Sequence, residues 1–222
     1  MTGPFVGIDL TTSAARPSAC AVLDASLGVL RLDPLATEEE ILRMVADCGA
    51  GIVAIDAPLG LPLGLCCLET ACPCVPALGH KVRTAELALA RRGIGCFFTT
   101  KRSIIKGLVE RGMRLARELS ARGCQVIEVY PYATKVELFG KRLPRKSTRE
   151  GLAFLKVRLP ELIPSLSTHM GTLEHNLCDA LLGAYTVYLH SLGCSEALGI
   201  PEEGQIVIPA GYRRLSVSGP PC

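Results

Sequence analysis

The sequence predicts an α/β domain, and three observations carry that prediction. Short apolar runs near the N-terminus are separated by turn residues, near-continuous apolar runs recur further along, and amphipathic helical patterns lie between them. With 222 residues, 49% of them apolar, the chain can bury a core as one sizeable domain or two small ones. "PFVGIDL" (4–10), "SACAVLD" (18–24) and "GVLRLD" (28–33) read as three strands of a meander. Thr37 followed by Glu38, Glu39 and Glu40 is an N-cap with acids in the first turn, and Glu40 completes a capping box. Ile41, Leu42, Val45 and Ala46 keep helical spacing to about Cys48, where Gly49 ends the helix. "GIVAIDAP" (51–58) reads as a buried strand of the parallel type, stopped by Pro58.

Residues 57–79 form a long loop rich in Pro, Gly and Cys, and loops of that length inside a domain tend to be functional. A helix from about His80 to Arg92 follows, then "GIGCFFTT". Ile104, Leu108, Leu115 and Leu119 trace one face of a long basic helix that ends at Gly123. "CQVIEVYP" (124–131) is another buried strand. A short helix, the basic linker "GKRLPRKSTRE" (140–150) and a further helix lead to residue 172. "TLEHNLCDALLGAYTVYLH" (172–190) is a strong helix with Leu177, Leu181, Ala184 and Tyr188 on its packing side. "QIVIP" (205–209) is a short strand before a short C-terminal tail. Neither an internal repeat nor a domain boundary stands out, so residues 1–222 read as a single domain.

Charge and composition narrow the function classes. No run approaches the roughly 20 uncharged apolar residues of a membrane helix, and the N-terminus lacks a signal-peptide pattern. The expectation is a cytoplasmic protein with no membrane partner. Net charge is only +3, but residues 91–149 carry 15 Lys or Arg against four Glu, while residues 1–90 carry five against ten acids. That asymmetry suggests a polyanion-facing surface, with solvated helices as the alternative. Lys101, Arg102, Lys106, Arg111 and Arg114 are the candidate phosphate contacts. One Asn, two Gln and an excess of Arg over Lys point to a thermophile, in which disulfides occur inside cells despite the usual reduction of the 11 Cys.

Four acids interrupt apolar elements: Asp9, Asp56 and Glu128 within or at the ends of strands, and Asp179 in the last long helix. Ligands of open α/β sheets bind beyond the carboxyl ends of the strands, so Asp9 and Asp56 should converge if their strands are neighbours. A helix packed across that edge would bring Asp179 alongside, with His175 one turn earlier on the same face. Crowded carboxylates repel, and a divalent cation reverses that penalty. Hard oxygen donors suit Mg²⁺ or Mn²⁺, which can serve phosphodiester displacement. Asp9, Asp56 and Asp179 are therefore the candidate metal ligands, with Glu128 and His175 as auxiliary ligand or base. Taken singly, each acid could instead cap a turn or join a salt bridge, and Glu128 could face a base from the preceding helix.

"VGIDLTTSA", "VAIDAPLGLP", "RTAELALARRGIGCFFTT", "RGMRLARELSARGCQVIEVYP" and "HNLCDALLGAYTVYLH" follow one another in that order. Together, over most of residues 4–190, they resemble the domain-of-unknown-function family 429, predicted nucleases of ribonuclease H-like fold. The resemblance implies a five-stranded mixed sheet, its first three strands antiparallel, with helices on both faces and a RuvC-type resolvase as the nearest functional analogue. It matches Asp9, Asp56 and Asp179 to that superfamily's metal site. His175 stands on the last helix where RuvC-type enzymes often carry a second acid. The implied function is metal-dependent hydrolysis of nucleic acid, DNA or RNA; oligomeric state, including a homodimer, stays open. Two alternatives remain: an actin/sugar-kinase-like nucleotide-phosphate binder, because "GIDLTTSAA" resembles a first phosphate loop, and a non-catalytic nucleic-acid-binding domain. "CCLETACPC" places Cys66, Cys67, Cys72 and Cys74 within nine residues, open to a structural Zn²⁺ site, disulfides or free thiols.

Overall fold

The structure is a computed structural model that describes residues 3–13 and 16–210. The three N-terminal runs form β1 (Phe5–Asp9), β2 (Ser18–Leu23) and β3 (Val29–Leu35), paired antiparallel as the meander requires. Helix α1 (Glu38–Cys48) begins on the expected capping box, with Glu40 N–H donating to Thr37 Oγ1, and ends at Gly49 with φ 65°. The left-handed conformation at Gly49 is one that a side chain would disfavour. Strand β4 (Ile52–Asp56) then runs parallel to β1.

The long Cys-containing loop gives way to α2 (Thr84–Arg91), shorter at its start than the helical pattern from His80 suggests. Helix α3 (Lys106–Ala121), strand β5 (Gln125–Val129) and α4 (Pro131–Phe139) follow, with Pro131 at the first helical position, where its missing N–H costs nothing. Helix α5 (Arg149–Leu162) and a 3₁₀ turn (Pro164–His169) lead into α6 (His175–Ser191). Two strands close the described chain: β6 (Ser195–Leu198) and β7 (Ile206–Pro209). The C-terminal tail lies outside the described residues, as do Ala14 and Ala15 of "GIDLTTSAA".

The sheet has seven strands in the order β3-β2-β1-β4-β5-β7-β6, a correction to the five-stranded expectation. The extra pair arises because β7 adds in parallel to β5 and β6 returns antiparallel along β7. Four residues of mixed polarity, Ser195–Leu198, show too little alternation to read as a strand alone.

Alternating side chains divide the interior into two layers. Phe5, Ala19, Ala21, Leu23, Ala54, Ile127 and Val129 face α5 and α6. Val6, Ile8, Cys20, Val22, Val53 and Ile55 face the opposite way, with Ile41 and Val45 of α1 and Leu115 and Leu119 of α3. Helix α6 is buried nearly all round, as expected for a helix apolar on every side. Among the described residues, no helix is long and apolar enough to cross a membrane.

Candidate functional site

Asp9 closes β1 and Asp56 closes β4, and the parallel register makes the two residues direct partners. Strand parity points them the same way. Asp9 shares a face with Phe5, and Asp56 with Ala54, so both carboxylates project toward the layer of α6. That helix comes close because Gly7 lets it. A Cβ on Gly7 would stand 2.1 Å from the Ala180 carbonyl oxygen and 2.2 Å from Ala184 N. Gly183 answers from the helix, where a Cβ would meet Gly7 Cα at 3.3 Å. Asp179 lies one turn before Gly183, and Asp9 two residues beyond Gly7. Asp9, Asp56 and Asp179 line one cavity of about 650 Å³.

Burial, followed by the charge of Asp179, pushes the Asp9 carboxyl up to about 7. Burial and then the neighbouring Asp9 hold Asp56 well above the usual carboxylate range. At neutral pH the pair is short of positive charge and retains protons that an isolated Asp would have lost. Asp179 is placed differently. Lys135, buried on α4, donates to its Oδ1 at 3.1 Å, and Lys146, from the linker after α4, pairs with its Oδ2. For Lys146, burial works against the ammonium, but the charge and hydrogen bond of Asp179 together with the charges of Asp9 and Asp56 outweigh it, so its pKa is raised.

Glu128 touches the same cavity but points into the other layer, because its register partner on β4 is Ile55. There it accepts a bidentate pair from the Arg83 guanidinium, Nη1 at 2.7 Å and Nη2 at 2.6 Å, and Leu59 N–H donates to it at 2.7 Å. Arg83 Nε also donates to Glu86 at 3.0 Å, and Glu86 accepts from Thr99 N–H. This network is closed. Arg83 and Glu86 are each 1% exposed; burial works against the Arg83 guanidinium, but Glu128 and Glu86 together overcome it and raise its pKa. The base facing Glu128 is thus the N-cap residue of α2 rather than a residue of the long basic helix.

His175 opens α6 and does not line the cavity; its Nδ1 is buried without a hydrogen-bond partner among the described residues. Of the five candidate phosphate contacts, Arg111 is buried and engaged with Glu38 and Thr11, and Arg114 shares Glu38. The Lys101 ammonium donates to the Cys72 carbonyl. Arg102 is exposed and Lys106 half-buried, and neither side chain forms an ion pair among the described residues. Thr11 is also engaged locally, its N–H on Ser18 Oγ and its hydroxyl on the Ser13 and Arg16 carbonyls.

Sequence reasoning missed Lys135 and singled out Lys146 only as part of a basic linker. Lys135 carried a usable signal, because a lysine among the apolar residues of "PYATKVELF" sits one turn into a helix that starts at the strand end. Phe97, Tyr130 and Tyr132 complete the cavity wall, with Phe97 65% exposed at its mouth.

In the Cys loop, the Sγ atoms of Cys66, Cys67, Cys72 and Cys74 lie within 4.8 Å of one another, and all four thiols are free. Such a donor set can hold a metal ion such as zinc. Among the described residues, only these four bring three or more metal-type donor atoms that close together. The family described as "Protein of unknown function (DUF429)" matches residues 7–203, and the chain belongs to it. No curated protein matches the chain.

Proposed function

We propose that this DUF429 member is a divalent-metal-dependent nuclease whose reaction centre is the Asp9–Asp56 pair. One observation carries the reading. Two carboxylates are register partners at the carboxyl ends of adjacent parallel strands, in one cavity, with burial and the charge of neighbouring acids, Asp179 among them, holding their pKa values up. A fold that keeps such a pair tolerates a standing electrostatic cost, and a hard cation of the Mg²⁺ or Mn²⁺ kind relieves it. The donor chemistry fits, since all three acids offer oxygen only. Asp9 and Asp56 would be the protein ligands, and Asp179 would join them only by giving up a lysine. When bound, the ion supplies charge stabilisation at phosphoryl oxygens and a more acidic water.

The chain's own groups do the rest. Lys135 and Lys146 supply positive charge for a phosphate next to the acids, and Arg102 and Lys106 extend it along the rim. Phe97 and Tyr132 offer exposed rings on which an unpaired base can stack, an interaction that tolerates sequence. The order β3-β2-β1-β4-β5, with β1 to β3 antiparallel, agrees with a ribonuclease H-like arrangement and lends the reading support.

Branched, duplex and single-stranded DNA and RNA, incubated with Mn²⁺ or Mg²⁺, test it directly. Cleavage should need the metal and fall at least about 10²-fold in Asp9→Asn, a loss comparable to removing a principal stabilising group. Full activity in that variant, or cleavage indifferent to chelator, would remove the acid pair from the chemistry. Binding without cleavage on every substrate would favour the non-catalytic alternative.

A further inference from the structure

The loop between Asp56 and Arg83 has no helix or strand of its own and little core. Leu68 is its one fully buried large side chain among the described residues, while Val75 and Leu78 face solvent. Its internal backbone hydrogen bonds are few: Leu65 N–H to Pro62, Cys72 N–H to Glu69, and Ala77 N–H to Leu63. Yet it carries Leu59 and Leu63, whose N–H groups hold Glu128 and Glu203, and it delivers Arg83 to the buried network. A segment with so little apolar anchorage needs another source of order.

The four sulfurs converge where that source would act. Cys66 Sγ and Cys72 Sγ are 3.6 Å apart, and the whole set fits within 4.8 Å. A disulfide would bring two sulfurs to about 2.05 Å. Four ligands around a tetrahedral zinc at about 2.3 Å would instead stand about 3.8 Å from one another. Thiols alone give no reason to gather, being weak hydrogen-bonding groups that repel once ionised. We infer that Cys66, Cys67, Cys72 and Cys74 bind one zinc ion as a closed tetrathiolate site that braces the loop beside the acid cavity.

Soft thiolates select zinc over the hard cations that suit carboxylates, so this site is independent of the Asp9–Asp56 pair. Four protein ligands leave no open position, which makes the role structural. The brace reaches further through Lys101, whose ammonium holds the Cys72 carbonyl from the segment that also carries Phe97 and Thr99. Zinc would thus stiffen one wall of the cavity from outside it.

The test uses the full chain expressed with zinc and purified in reductant without chelator. Metal analysis should find about one zinc per chain, the closed-site stoichiometry. Cys72→Ser/Cys74→Ser should lose it, while Asp9→Asn should keep it. Replacement by Co²⁺ should give the absorption of a tetrahedral thiolate complex, and stripping the metal should speed amide exchange across 57–82 while leaving α6 unchanged. If the double variant fails to fold, stoichiometry and cobalt spectrum of the unaltered chain still decide. Four thiols titrating freely without metal would overturn the inference, as would a mass lower by the hydrogens lost to disulfides. Zinc that disappears with Asp9→Asn but survives loss of the cysteines would overturn it too.

Discussion

Asp56 and Glu128 stand near the same end of adjacent strands and border one cavity, yet they are solved in opposite ways. Glu128 turns into the α3 layer and meets a bidentate guanidinium. Asp56 turns into the α6 layer and meets another acid. Burial is comparable for Asp9 and Glu128, so burial cannot be what separates them. The difference is compensation. A buried acid with its own cation is architecture; a pair of acids that Lys146 compensates only in part, its pKa values still raised, is one that a cation would stabilise further.

The sharpest way to break the contrast is to strip the compensated side. Arg83→Met leaves Glu128 and Glu86 buried without their cation, and breaking such a pair costs about 3–5 kcal/mol. Chemical denaturation should register that loss with or without metal. A loss under about 1 kcal/mol, the range of exposed ion pairs, would mean the network is effectively solvated and the contrast false.

The uncompensated side should behave with the opposite sign. A carboxyl held near 7 in the folded state and near 3.8 when unfolded keeps more protons folded than unfolded between those values. Its stabilising protonation is therefore complete below about 3.8 and is lost as pH rises through about 7. Removing the charge with Asp9→Asn should stabilise the metal-free chain at pH 8 by on the order of 1 kcal/mol or more, with little gain at pH 4. Thermal unfolding at the two pH values separates these cases. Equal destabilisation at both would show that the Asp9 carboxylate is structurally satisfied, as Glu128 is.

Much of this was legible before any coordinates. The capping box at Thr37, the meander and the parallel-type strands follow from local patterns that tertiary packing had no reason to override. Even the divergence of Glu128 was readable in principle. Ile127 and Val129 are the apolar positions of β5 that face α6, so parity sends the intervening residue the other way. What stayed hidden is what joins distant segments. Nothing local says that Arg83 reaches Glu128, that Lys135 and Lys146 converge on Asp179, or that Gly7 admits α6. Strand β7 was readable as "QIVIP", whereas β6 escaped because its four residues of mixed polarity show no clean alternation.

Lys146 gives the smallest effect and the finest distinction. Its ammonium pairs with Asp179 from a half-exposed position, and its charge also lowers the pKa of Asp9 and Asp56. Lys146→Ala should therefore change stability by under about 1 kcal/mol, as exposed pairs do. Its effect on the acids is more telling. Without that ammonium, the pH at which the Asp9–Asp56 pair loses its proton should move upward, as a carboxyl-resolved NMR titration would record. Mn²⁺ binding should tighten at pH 8, because a competing cation is gone, and weaken as the solution is acidified, because protons now compete better. If Lys146 were only a structural partner of Asp179, both readouts would stay where they are in the unaltered chain. The lysine would then belong with Arg83 among the residues that hold the fold together.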